Sequence, residues 1–288
     1  MSSRTAVLTV GALIAFAANS VICRLALGDD TIDAASFSTI RLTSGAVTLL
    51  VIAAMAGPGR SGRGRGNWTS ASLLFGYAIT FSFAYLSLSA GTGALILFGA
   101  VQATMILAAL RSGEQPHVTE WAGLLLAVAG LVYLVLPGLA APSPAGSALM
   151  VVAGICWGVY SLRGRGVVDP LAETTGNFVR SVPLVAATSL VTLPGLHLSA
   201  AGILLAVLSG AAASGVGYVV WYAALRGLTA TRAAMVQLCV PVLAAVGGVI
   251  VLSERPSPRL VLAAALILGG IGLATVGRDY LLRAETTG

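Results

Sequence analysis

Glu114-Gln115-Pro116 opens an apolar run that reaches Gly130, and Glu254-Arg255-Pro256 opens another that reaches Gly270. One offset serves both comparisons, 254 − 114 = 140 and 270 − 130 = 140, close to half of the 288 residues. An element that recurs at half the chain length marks an internal duplication. The sequence around these two segments is of one kind. Hydrophobic residues make up 57% of the chain and charged residues 9%, where a soluble domain carries about 25% charged residues. With so little polar surface, the outside of the protein must face lipid.

A helix needs about 20 apolar residues to cross a bilayer. Ten such runs are read, at about 5–27, 34–56, 68–89, 92–110, 118–135, 145–162, 173–193, 200–225, 229–252 and 258–277. Between them lies turn chemistry: Gly57-Pro58-Gly59, Pro137-Gly138, Pro142-Ser143-Pro144 and Pro194-Gly195. The pattern predicts an all-α integral membrane protein of ten transmembrane helices in two five-helix repeats, residues 1–138 and 139–288. Five spans is an odd number, so the second repeat enters the bilayer from the opposite side. Inverted repeats of this kind place a substrate site between them near the midplane.

All sixteen basic residues are arginine. With the N-terminus in the cytoplasm, twelve fall on or near the inner side, and Arg24, Arg41, Arg255 and Arg259 fall outside. That distribution satisfies the positive-inside rule and puts both termini in the cytoplasm. The net charge of +6 is therefore read as an orientation signal, with no nucleic-acid partner. Cys23, Cys156 and Cys239 sit inside apolar runs and read as small hydrophobes rather than a disulfide or metal set. Neither cofactor nor metal is expected.

The two halves also echo one another locally. Phe16-Ala17-Ala18-Asn19 corresponds to Trp157-Gly158-Val159-Tyr160, with Arg24 and Arg165 following at equal distance. Arg41 and Arg180 mark corresponding ends of the second and seventh spans. Tyr85-Leu86-Ser87-Leu88 corresponds to Tyr222-Ala223-Ala224-Leu225. In this order across nearly the whole chain, the motifs resemble the drug/metabolite transporter superfamily, in its ten-helix EamA-type branch. The start of the third span, Ser72 to Phe75, and the sixth-span Trp157 are similar to YddG-type exporters of aromatic amino acids. Against their pattern, Phe16 replaces a tryptophan, and Ala100-Val101 replaces a tryptophan-proline pair. The resemblance implies a central cavity between two bundles, alternating access, and export across a bacterial inner membrane.

Polar residues inside spans face a cavity or another helix. Asn19, Gln102 and Gln237 are the clearest. A buried amide both donates and accepts, which suits a zwitterion; it equally serves as glue between helices. The aromatic candidates are Phe16, Tyr77, Phe81, Tyr85, Trp157, Tyr160, Tyr218 and Tyr222. Spacings of three or four put Trp157 with Tyr160, Tyr77 with Phe81 and Tyr85, and Tyr218 with Tyr222 on shared helix faces. Such stripes can stack on a planar group or grip a cation, or simply pack against lipid. Trp68 and Trp121 sit at span ends and read as an interfacial belt. Pro183, Gly215, Gly217 and Pro241 are candidate helix breaks or hinges.

Other readings are weaker. Asp29-Asp30-Thr31-Ile32-Asp33 could hold magnesium against a diphosphate, but the nearest second acidic pair, Asp169 with Glu173, falls on the opposite side. A lipid-processing enzyme is thus the remote alternative; a drug or other metabolite carrier is the nearer one. No acidic residue is read at bilayer depth, which predicts a facilitator or exchanger driven by the substrate gradient. The cavity is expected to be uncharged. The expected partners are the bilayer and a small zwitterionic metabolite, an amino acid or similar, carried by a monomer.

Overall fold

The computed structural model describes residues 2–56, 66–111, 118–136, 141–164, 167–228 and 236–287. Its long helices are α1 (Ser3–Gly28), α2 (Ala34–Met55), α3 (Trp68–Tyr85), α4 (Ala90–Arg111), α5 (Val118–Val135), α6 (Pro144–Arg163), α7 (Pro170–Val191), α8 (residues 200–225), α9 (Cys239–Leu252) and α10 (Pro258–Thr287). The described residues form no β-strand beyond an isolated bridge between Ile32 and Leu198. The all-helical, ten-helix expectation holds. Glu114-Gln115-Pro116, the turn at 57–59, Arg165 and Arg232 lie outside the described residues.

Five helical stretches are long and apolar enough to cross a membrane alone: Ser3–Gly28, Ala34–Met55, Ala90–Ala108, Pro144–Arg163 and Ala200–Ala224. Shorter apolar stretches lie in α5, α9 and α10. Helices α3 and α7 are not among the five; they pack against each other and against α2, and α3 also packs against α6. Their hydroxyls bond back to their own backbone: Thr80 to the Gly76 carbonyl at 2.7 Å, Ser82 to Ala78 at 2.9 Å, Thr175 to Leu171 at 2.7 Å. Leaving such groups unpaired in an apolar interior is costly.

The duplication is written into the helix starts. Ser2 and Ser143 cap α1 and α6, Asp33 and Asp169 cap α2 and α7, and Asn67 and Ser199 cap α3 and α8. Each side chain accepts from the backbone N–H three residues on, satisfying a donor the helix cannot. Packing repeats the same correspondence. Helix α6 lies on α3 and α4, while α1 lies on α8 and α9; α2 meets α7, α4 meets α9, and α5 meets α10. Exchanging each helix of one half with its mate in the other leaves this pattern unchanged, as a twofold relation between repeats requires.

The two segments quoted at the outset meet at the α5–α10 crossing. A Cβ on Gly130 would stand 2.7 Å from Leu266 Cβ, and one on Gly270 would stand 2.5 Å from the Gly123 carbonyl oxygen. Both glycines let the backbones close, the small-residue packing that replaces a hydrophobic drive in lipid.

Candidate functional site

Between the two halves lies a cavity of about 20 Å³ lined by Phe16, Asn19 and Ser20 of α1, Tyr77 and Phe81 of α3, Leu97 and Phe98 of α4, Trp157 of α6, and Ala213, Ser214 and Tyr218 of α8. A space of that size holds little more than one water. The walls are therefore closely packed around the cavity.

Its walls are rings in mutual contact. Trp157 lies 5.0 Å from Tyr77, 5.1 Å from Tyr218 and 5.6 Å from Tyr160, the last pair stacked. Phe81 lies 5.3 Å from Tyr77 and 4.7 Å from Tyr85. Phe16 meets Tyr218 edge-on at 6.0 Å. Pairs of this kind contribute about 0.5–1.5 kcal/mol beyond burial. Rings from both halves share one wall.

A second cavity adjoins the α3, α6 and α7 ends and is lined by Ser70, Tyr160, Arg163, Glu173, Asn177 and Tyr222, among others. Tyr160 is a lining residue there and stacks on Trp157 of the central cavity. Glu173 accepts from the Gly66 backbone at 3.1 Å and from Asn67 Nδ2 at 3.0 Å. Arg163 Nε donates to Ser70 Oγ at 3.1 Å. A different set of contacts ties the opposite end together. Tyr85 is fully buried and donates its hydroxyl to the Ala90 carbonyl at 3.3 Å. Glu254 accepts from the Ala90 N–H at the start of α4, at 3.0 Å, and pairs with Arg24 Nε at 3.5 Å; Arg24 Nη1 in turn donates to the Tyr85 carbonyl at 3.0 Å.

Of the sequence candidates, Phe16, Asn19, Tyr77, Phe81, Trp157 and Tyr218 come together at the central cavity. Tyr160 and Tyr222 line the second, and Tyr85 lies beside the Arg24–Glu254 pair, its carbonyl accepting from Arg24. Gln102 stands apart, in a pocket of α4, α5 and α10 with Gly99, Leu124 and Ile271. Gln237 is half-buried in a short helical turn ahead of α9. Asn19 lines the cavity and also acts between helices, accepting from Ser209 Oγ at 2.6 Å.

The expected breaks take other forms. Helix α7 runs unbroken through Pro183. Pro241 falls in the first turn of α9, where its missing N–H removes no intrahelical bond of that helix. Gly215 and Gly217 do not interrupt α8; residues Ser209–Val216 wind as a π-helix within it. That stretch places Ser209 against Asn19 and Ser214 against Arg41, five residues apart and one π-helical hydrogen-bond step. Nothing in periodicity announces it beyond a run of small residues. The Asp29–Asp33 cluster is structural at Asp33, which caps α2 and bonds the backbone of His197. Trp68 and Trp121 are exposed near their helix starts.

Arg41 is the main correction. The sequence places it at the outer end of its span and predicts an uncharged cavity; no charged residue lines the central cavity, but Arg41 is buried against its lining. The residue lies seven positions into α2, about 10 Å from its start, and is 2% exposed. Nη2 donates to the Tyr77 hydroxyl at 3.1 Å and Nε to Ser214 Oγ at 3.3 Å. The guanidinium carbon lies 5.2 Å from the Tyr77 ring centre and 5.1 Å from that of Phe81. Nη1 has no hydrogen-bond partner among the described residues. Gly210 makes the position possible: any side chain there would overlap the Arg41 carbonyl and Ser44 Oγ. The sequence reading puts the arginine at the outer end of the second span because membrane interiors exclude unpaired charge. Its mate Arg180 also lies well inside its helix, donating to the Gly176 carbonyl at 3.0 Å.

The EamA-like transporter family model matches residues 3–136 and again 144–276. The chain is 50% identical over 279 residues to an uncharacterized protein of Pseudomonas aeruginosa, covering 96% of each chain. It is 25% identical over 232 residues to a protein of Escherichia coli strain K12 called a probable amino-acid metabolite efflux pump, covering 72% of this chain and 77% of that one. Among solved structures, one protein superposes with a TM-score of 0.64 at 22% identity, over 92% of this chain and 98% of the other; that likeness concerns the fold.

Proposed function

Because the chain belongs to the EamA-like transporter family, with that unit present twice, we propose that it exports small zwitterionic metabolites, amino acids including aromatic ones. Membership makes it a multi-pass membrane transporter of small molecules. The observation that carries the narrower reading is the central cavity, where Phe16, Tyr77, Phe81, Trp157 and Tyr218 surround Asn19, Ser20 and Ser214. Rings offer faces to a planar or apolar side chain, and the amide and hydroxyls both donate and accept. A relative named as a probable amino-acid metabolite efflux pump supports the same class.

In this reading residues 1–138 and 139–288 are the two half-units that rock about the cavity. The chain lies in a bacterial inner membrane with both termini in the cytoplasm, works as a monomer and performs no catalysis. The second cavity, beside Tyr160 and Tyr222, then faces the cytoplasm and admits substrate past the stacked Trp157 and Tyr160 rings. The Tyr85–Arg24–Glu254 seal closes the outer side. The acids nearest the pathway, Glu173 and Glu254, are held by backbone and side-chain donors at the two ends. Flux therefore follows the substrate gradient. Cells that overproduce the protein should survive a growth-inhibitory aromatic amino-acid analogue. Unchanged sensitivity, with the protein verified in the membrane, counts against the proposal.

A further inference from the structure

A buried guanidinium without a carboxylate beside it is costly, because desolvation of the charge is offset only by neutral acceptors. Arg41 is in that position. The ion pair found among the described residues, Arg24–Glu254, does not involve it. Its acceptors, Tyr77 and Ser214, and the two rings it faces, Tyr77 and Phe81, all line the central cavity. The charge thus lies directly behind the cavity wall.

The hydrogen bonds have a direction. The Tyr77 hydroxyl accepts from Nη2, and the Ser214 hydroxyl accepts from Nε. Each hydroxyl therefore keeps its own proton to donate. Tyr77 and Ser214 thus present two hydroxyl donors on the cavity lining, backed by a cation whose Nη1 has no hydrogen-bond partner and which pairs with no carboxylate among the described residues. Charge-assisted donors in a fork are the arrangement that binds a carboxylate.

We propose that Arg41, Tyr77 and Ser214 form the receptor for a carboxylate carried by the transported molecule, so that substrates need the carboxylate more than the amino group. This rests on the transport reading above and narrows it. The anion would offset the buried charge only while substrate is bound, tying occupancy to the packing of α2 against α3 and the π-helical stretch of α8.

The test uses the purified full-length protein in detergent, with ligand affinity read from thermal stabilisation. Four ligands are compared: phenylalanine, 3-phenylpropionate (no amine), phenethylamine (no carboxylate) and butyrate (no ring). Phenylalanine and 3-phenylpropionate should bind wild type, and phenethylamine should not at equal concentration. Arg41→Gln should weaken both carboxylates about tenfold or more, the loss of a charged hydrogen-bond partner. Tyr77→Phe keeps the ring and should weaken them by a smaller factor; it carries the test if Arg41→Gln does not fold. Phenethylamine binding as well as phenylalanine, or carboxylate affinity unchanged in the folded variants, overturns the proposal. Binding of 3-phenylpropionate but not phenylalanine upholds it and removes the zwitterion reading. Binding of butyrate alone, dependent on Arg41, upholds it and removes the aromatic reading. Failure of every carboxylate to bind overturns it.

Discussion

The indole ring of Trp157, from the second half of the chain, lies 5.0 Å from the phenol ring of Tyr77, from the first. Neither half alone makes this contact, and any motion that opens the cavity between them must change it. Trp157→Ala should lower transport about tenfold or more while leaving folded yield close to wild type, because the residue is only half-buried. Trp157→Phe, which keeps a ring, should retain most of the activity. Initial rates in vesicles, with membrane yield measured in parallel, decide it. Wild-type transport by Trp157→Ala would remove the residue from the pathway.

The Arg24–Glu254 pair ties α1 and the loop before α10 to the first N–H of α4. Glu254→Gln removes the charge and weakens those bonds, so the seal at that end should open more often. With the native cysteines replaced by alanine, Ser20→Cys places a reporter on the cavity wall. Adding Glu254→Gln should raise its labelling by a membrane-impermeant thiol reagent, from the side bearing Asp33, on the order of tenfold. An unchanged labelling rate would mean that this cluster does not close the pathway.

Gly270 and Gly269 are neighbours in α10 with opposite surroundings. A Cβ at Gly270 would meet the Gly123 carbonyl oxygen at 2.5 Å and Ala127 N at 2.7 Å, whereas one at Gly269 meets nothing within 4 Å. Gly270→Val should destabilise the protein by about 1–3 kcal/mol, the usual cost of overpacking, seen as a lower thermal midpoint in detergent. Gly269→Ala should not lower it. Equal midpoints for the two variants would contradict the close α5–α10 crossing.

Long apolar runs and their turns are strong signals, which is why ten helices and the twofold plan are legible before any coordinates. The repeat of Gly130 at Gly270 marks a crossing where backbone meets side chain and backbone, so its spacing survives in the sequence. Aromatic residues spaced three or four apart identify helix faces, and Phe16, Tyr77, Phe81, Trp157 and Tyr218 do share one cavity. Periodicity cannot say which helix a face meets, so Gln102 falls in another pocket. Arg41 reads as a span-end charge because counting arginines by side assumes that they avoid the interior. The π-helical stretch escaped as well, since Ser, Gly and Ala fit α and π winding alike. The paired caps, Asp33 with Asp169 and Ser2 with Ser143, were available in the sequence and would have strengthened the repeat.

The driving force is open to a direct test. Proteoliposomes loaded with substrate should release it down its own gradient. An imposed pH or voltage difference without a substrate gradient should produce no net flux. Flux that tracks the imposed gradient would show ion coupling and set aside the facilitator reading.

The measurement closest to the central claim is counterflow in liposomes holding the purified protein, preloaded with one of a panel of unlabelled amino acids and challenged with labelled phenylalanine. The account predicts accumulation of label driven by aromatic and other apolar amino acids, absent in empty liposomes and strongly reduced in Trp157→Ala. No counterflow with any amino acid, from protein shown to be folded and inserted, would contradict it.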